Sequence, residues 1–242
     1  MMTNVFLRRF APRPAALALA LALAAGSIAP AAAEPFDDAV AALGAGDYPT
    51  AHALFQPLAE QGNASAQYYV GVLNENGYGV PKNEALALQW YGLAAEQGIA
   101  QAAYNIGMMS VEGRGVPADP ATGAQWVQRA AEQGYPLAQH TLGYFYLDGT
   151  GVAADLAPAH RWFNAAAASG VVDAMFNLGY LYETGTGVPI DIATAYRWYA
   201  TAATLGDEEA VRAANDLGTL LTEQQRAEAQ EDAGAWLEAN GL

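Results

Sequence analysis

The chain has 242 residues, 53% of them hydrophobic and 14% charged, a balance that excludes a disordered polyelectrolyte and fits one or two packed domains. It contains no cysteine, which excludes disulfides, thiolate metal sites and cysteine nucleophiles. Its formal net charge of −15 repels a phosphate backbone, so no nucleic-acid partner is expected.

The first 33 residues read as an export signal. Arg8, Arg9 and Arg13 precede an uncharged stretch from Ala15 to Ala25. Gly26, Ser27 and Pro30 then lead to Ala31-Ala32-Ala33, a small-x-small cleavage site ahead of Glu34. A retained anchor needs about 20 strongly apolar residues, whereas this run is mostly alanine with a proline inside it. Arg8-Arg9 is followed directly by Phe10, without the intervening residue of a twin-arginine signal. Cleavage leaves 7 basic against 25 acidic residues, a net −18. The expected destination is the periplasm of a Gram-negative bacterium, with no stable membrane insertion after cleavage.

The next segment, 34–63, reads as a variant helical hairpin, turning at Gly46-Asp47-Tyr48 into a helix that carries Ala51, Leu54, Phe55 and Leu58. Four segments then align without gaps: 64–99, 100–135, 136–171 and 172–207. Trp90, Trp126, Trp162 and Trp198 recur at 36-residue spacing, as do Gly71, Gly107, Gly143 and Gly179. A fixed period of this length signals stacked supersecondary units. Each unit reads as helix, loop, helix. In the third, Ala138, Leu142, Phe145 and Tyr146 make an apolar stripe at helical spacing. Gly149-Thr150-Gly151-Val152 ends that helix, and Asp155 caps the next, as Asn83, Asp119 and Asp191 do in the other copies. Segment 208–242 reads as a closing hairpin with Thr222 as an N-cap and Trp236 near its end. The expected fold is all-α, a right-handed α-solenoid of six antiparallel hairpins, with the tryptophans wedged between neighbours.

The motifs Ala-Gln-Tyr-Tyr-Val-Gly (66–71), Gly-Tyr-Gly-Val-Pro (77–81) and Gln-Trp-Tyr-Gly-Leu-Ala-Ala-Glu-Gln-Gly (89–98) resemble the Sel-one-like repeat family, which is related to the tetratricopeptide repeats. The resemblance implies an adaptor that binds a protein, and the sensor domain of an envelope kinase is one candidate partner. A cysteine-rich branch of the family has been discussed as β-lactamases; a chain without cysteine departs from it.

Chemical alternatives find little support. The Gly-x-Gly turns lack the third glycine and the preceding strand of a dinucleotide fingerprint. His52, His140 and His160 have no metal-ligand spacing. His140 and His160 stand where other copies carry aromatics. The acids Asp148, Asp155, Glu183 and Asp191 lack the alternation of a calcium loop. No cofactor, metal or catalytic residue is expected.

The candidate partner-binding residues lie on the first helices, on the side expected to avoid the second helices and to line the concave surface. They are Tyr68 and Val72, Tyr104 and Met108, His140 and Tyr144, and Phe176 and Tyr180, with Glu75, Val111, Leu147 and Glu183 continuing the face. The Tyr68, Tyr104 and Phe176 column reads first as packing between neighbours. The Tyr144 and Tyr180 column varies between copies and reads as the contact column. The leading functional expectation is therefore an exported protein–protein interaction module. A cell-envelope enzyme or its accessory subunit, acting on peptidoglycan or β-lactams, and a structural spacer are the alternatives.

Overall fold

The computed structural model describes residues 35–242; the expected export segment lies outside the described residues. Twelve helices run in chain order among them, with no strand. They are α1 (Pro35–Gly44), α2 (Tyr48–Glu60), α3 (Ala64–Asn76), α4 (Glu84–Glu96), α5 (Ala100–Glu112) and α6 (Pro120–Glu132). Then follow α7 (Pro136–Asp148), α8 (Leu156–Ala168), α9 (Val172–Thr184), α10 (Ile192–Thr204), α11 (Glu208–Gly218) and α12 (Glu223–Ala239). From α1 to α11 each helix packs on the next in sequence, the arrangement of a solenoid built from local contacts. None of these helices is long and apolar enough to cross a membrane.

The helix ends follow from the sequence. Asn83, Asp119, Asp155 and Asp191 each accept a bond from a backbone N–H of the first turn that follows, at Leu86, Thr122, Ala157 and Thr194. The Gly-x-Gly turns have two distinct duties. Gly149 closes α7 at φ 84°, while Gly151 lies where a Cβ would fall 2.0 Å from the Pro120 carbonyl oxygen. The second glycine of the turn thus lets one repeat dock onto the helix start of the repeat before it.

The close approach inside each hairpin is set by one residue pair. Gly71, Gly143 and Gly179 each face a fully buried ring, Tyr91, Phe163 and Tyr199, at distances that leave no room for a Cβ. The second repeat has Val127 in place of the ring and closes the gap with a second glycine. There Gly107 and Gly123 meet backbone to backbone, and a Cβ on either would lie within 2.8 Å of the other's carbonyl oxygen. These rings, not the adjacent tryptophans, are the centre of each unit. Trp126 and Trp162 are only partly buried against the core, and Trp90 packs likewise against the N-terminal cluster around Phe55. Trp90, Trp126 and Trp162 thus pack against neighbouring hairpins less deeply than expected, because the residue after each turns inward.

The C-terminal segment also departs from expectation. The helix α12 does not pair with α11 as a hairpin; it packs against the flank of α10. Trp236 meets Trp198 edge-on with ring centroids 5.0 Å apart, Gln230 donates to the Tyr196 hydroxyl at 2.8 Å, and Leu242 reaches Gly170. Trp198 is consequently 3% exposed, the only fully buried tryptophan of the repeating set. The physical reason is that α12 offers a narrow apolar edge, Ala229, Ala233, Trp236 and Leu237, and the aromatic flank of α10 buries more of it than the short, charged α11 would.

Candidate functional site

The candidate residues sit on four equivalent first helices, α3, α5, α7 and α9, so each column repeats at the same height in successive units. The column Tyr68, Tyr104, His140 and Phe176 is half-buried, and its members serve the seams between repeats. The Tyr104 hydroxyl meets Thr141 Oγ1 at 3.4 Å, and the Asn177 amide lies 3.0 Å from His140 Nε2. Each joins a first-helix group to the residue one past its equivalent in the next repeat. At the same spacing after Phe176 the sequence has Ala213, so neither residue of that pair has a polar side chain. Three of the four also rest on the ring of their own second helix, Tyr68 on Tyr91, His140 on Phe163 and Phe176 on Tyr199. Burial pushes the Tyr68 and Tyr104 hydroxyls up. It pushes the His140 imidazole down to about 4, against a smaller upward pull from Asp173. His140 is therefore neutral near pH 7 and accepts the Asn177 bond.

The second column divides. Val72, Met108 and Tyr180 are half-buried, but Tyr144 is only 8% exposed. It packs edge-on against Phe163 at 5.4 Å and against His140 at 5.1 Å, and its hydroxyl donates to Asn177 Oδ1 at 3.3 Å. The expectation that Tyr144 points away from the second helix is thus corrected. Phe163 is smaller than the tyrosines of the first and fourth copies, and the Tyr144 ring leans into the space beside it.

The acids at the ends of this face are also committed inward. Tyr91 donates to Glu75 at 2.5 Å and Tyr199 to Glu183 at 2.7 Å. Arg114, from the loop of the second repeat, bonds both Glu75 and Glu112. The reading of Glu75 and Glu183 as carboxylates on a side that avoids the second helices does not hold. The sequence carries a signal for this that follows the hairpin across, not the helix along. Acid accompanies a hydroxyl-bearing ring in Tyr91/Glu75 and Tyr199/Glu183, while apolar partners accompany Phe163/Leu147 and Val127/Val111. A buried tyrosine hydroxyl without its acceptor costs about 1–3 kcal/mol. Glu183→Leu alone is therefore expected to destabilise by that amount. Glu183→Leu combined with Tyr199→Phe, which copies the third repeat, is expected to recover most of it in urea unfolding.

What remains available on the first-helix face is a broken apolar row. Val72, Met108 and Tyr180 keep part of their surface in solvent, and Leu137, two turns before Tyr144, is 48% exposed. No group of three or more His, Asp or Glu residues that could hold a metal ion is present among the described residues. His160, on the second helix α8, belongs to a separate pair, with Nε2 3.2 Å from the hydroxyl of Tyr182 on α9.

The comparisons agree with this architecture. The Sel1 repeat family description matches residues 43–63, 64–99, 100–135, 136–171 and 172–207. The chain is similar to a protective antigen of uropathogenic Escherichia coli strains displaying an SLR fold, with 33% identity and a TM-score of 0.70, over 78% of this chain and 41% of that one. It is also similar to a Sel1 repeat protein from Oxalobacter formigenes, with 40% identity and a TM-score of 0.66, over 70% of this chain and 50% of that one. An immunity protein from Pseudomonas aeruginosa, 19% identical with a TM-score of 0.50 over 89% of this chain and 84% of that one, shares the fold alone. The chain therefore spans half or less of the first two relatives. No curated protein sequence gives a significant match. Sel1 repeat proteins generally mediate protein–protein interaction. With the repeat match covering most of its length, this chain belongs to the Sel1 repeat family.

Proposed function

We propose that the protein is an exported, periplasmic binding scaffold whose first-helix face recognises a partner protein, with the sensor domain of an envelope kinase as the leading partner class. The observation that carries this reading is the apolar row of Val72, Met108, Leu137 and Tyr180, which crosses four successive repeats and leaves side-chain surface in solvent. Such a row suits the capture of a partner segment by a few well-placed side chains. Meanwhile the groups that an enzyme would need as acids or bases, Glu75, Glu183 and His140, are bound within the fold.

The test is affinity capture from envelope extract of the native host with the full chain as bait. Met108→Glu combined with Leu137→Glu is expected to lose the specific partner while keeping the helical spectrum. Leu93→Glu combined with Gln125→Glu, at exposed positions on the second helices, is expected to keep it. Loss with the second pair and retention with the first would move the site to the opposite face.

A further inference from the structure

The seam between the repeats 136–171 and 172–207 is held in a way of its own. Two of the chain's three histidines lie at it, one on each helix of the third repeat. His140 on α7 accepts a bond from the Asn177 amide of α9 at 3.0 Å, and His160 on α8 lies 3.2 Å from the hydroxyl of Tyr182, also on α9. Tyr144 completes the first link by donating to Asn177 Oδ1 at 3.3 Å. One seam earlier the corresponding link joins two hydroxyls, those of Tyr104 and Thr141, and neither gains a charge in acid.

This geometry decides what a proton does. Asn177 is buried, and its amide is used at both ends: the oxygen accepts from Tyr144 and the nitrogen donates to His140 Nε2. A proton on Nε2 sets two donors against each other. Turning the amide over gives Nε2–H an acceptor, but it faces Tyr144 with the amide nitrogen, and that hydroxyl must give up its donation to Asn177. Either outcome breaks a bond across the seam and places a charge against the Phe163 ring. Around the imidazole, α9 brings the carboxyl of Asp173, which has a partner of its own, α7 brings the Tyr144 phenol, and α8 brings the uncharged Phe163. From α5, Tyr104 meets the adjacent Thr141. Asp173 favours the protonated ring, and burial outweighs it. The second link differs. The Tyr182 hydroxyl can accept as readily as donate, so a proton on His160 keeps that bond.

We propose that protonation of His140 in acid opens the first-helix side of the seam between α7 and α9, displaces Leu137 from Tyr180, and so weakens the partner-binding face. The second-helix side stays joined through His160 and Tyr182 and acts as the hinge. This rests on the reading that the first-helix face binds a partner, and it adds how that face is regulated. The His140 imidazole is held down to about 4 in the folded chain, against an ordinary value of 6.5. The stability that its neutral form contributes is therefore complete above pH 6.5 and is lost as the pH falls from there through about 4.

The test follows amide hydrogen exchange of the full chain at pH 7 and pH 4, with each rate corrected for the intrinsic effect of pH, beside an NMR titration of the histidine rings. His140→Tyr and His140→Phe place at this position the residues that Tyr104 and Phe176 supply in other repeats. In the parent chain, exchange in α7 and α9 is expected to rise at least roughly tenfold at pH 4, while α3 and α5 change far less. Both variants should lose this difference between the seams. Equal acceleration of α7 and α9 in the parent and in both variants would assign the loosening to carboxylates at large and overturn the proposal. So would a His140 ring that takes up its proton with no change in exchange at α9. These measurements need no partner, so their failure leaves the binding face standing. Acid loosening as expected, together with partner capture that survives Met108→Glu with Leu137→Glu, would instead overturn the binding face and with it the regulatory role.

Discussion

Replacing Gly107 with alanine is expected to destabilise the protein by about 3 kcal/mol, although the same substitution at Gly92 should be neutral or stabilise it by up to about 1 kcal/mol. Both glycines lie inside helices, and alanine is the better helix former at either. The difference is what the new methyl meets. At Gly92 there is nothing within 4 Å. At Gly107 the Cβ would lie 2.6 Å from Val127 Cγ2, 2.8 Å from the Gly123 carbonyl oxygen and 2.9 Å from the Val127 nitrogen. A side chain can turn away, but two of these three atoms are backbone of α6, so α5 and α6 must separate and the core between them must open. Thermal unfolding of the two variants checks this directly. A Gly107→Ala protein as stable as the parent would mean that the helix pair is not in close contact at this point.

Truncating Phe163 to alanine is expected to cost about 3–5 kcal/mol, more than truncating the adjacent tryptophan. Phe163 is 0% exposed and lies on Gly143, which has no side chain able to relax into the space left behind. Tyr144 and His140, both edge-on or tilted against the ring, would lose their support together. Since His140 and Tyr144 bond Asn177 in the next repeat, the damage should pass to that seam as well. Trp162 is only partly buried, so its removal is expected to cost roughly half as much. Urea midpoints of the two variants give the order, and a larger loss at Trp162 would reverse the assignment of the core.

How far the sequence reaches is shown by these same residues. The 36-residue period, the caps at Asn83, Asp119, Asp155 and Asp191, and the glycine turns were legible because each depends on a few neighbouring residues whose local chemistry has one good solution. The glycine at Gly107 was visible as a repeating position, but its partner at Gly123 was not, because nothing local marks a substitution that matters only across the hairpin. Spacing along one helix says which side chains share a side; it does not say that a glutamate at a helix end, such as Glu183, reaches the hydroxyl of Tyr199 on the neighbouring helix. Tyr144 escaped for a related reason. Its direction is decided by the size of Phe163, 19 positions later, and not by its own place in the pattern. The packing of α12 on α10 was hidden because that helix has no counterpart among the repeats.

The placement of α12 also constrains how such a gene can grow. Seams between neighbouring full repeats share one geometry, so duplicating block 136–171 at the 135/136 boundary would keep Tyr104 to Thr141 and His140 to Asn177 at the outer seams and set His140 beside the Thr141 hydroxyl at the new one. A block added after Asp207 would meet a different surface. Trp236 and Gln230 already cover the flank of α10, and the newcomer would have to evict them before it could stack. Lengthening by internal recombination is therefore cheap, while lengthening at that end requires the loss or rewriting of a whole helix.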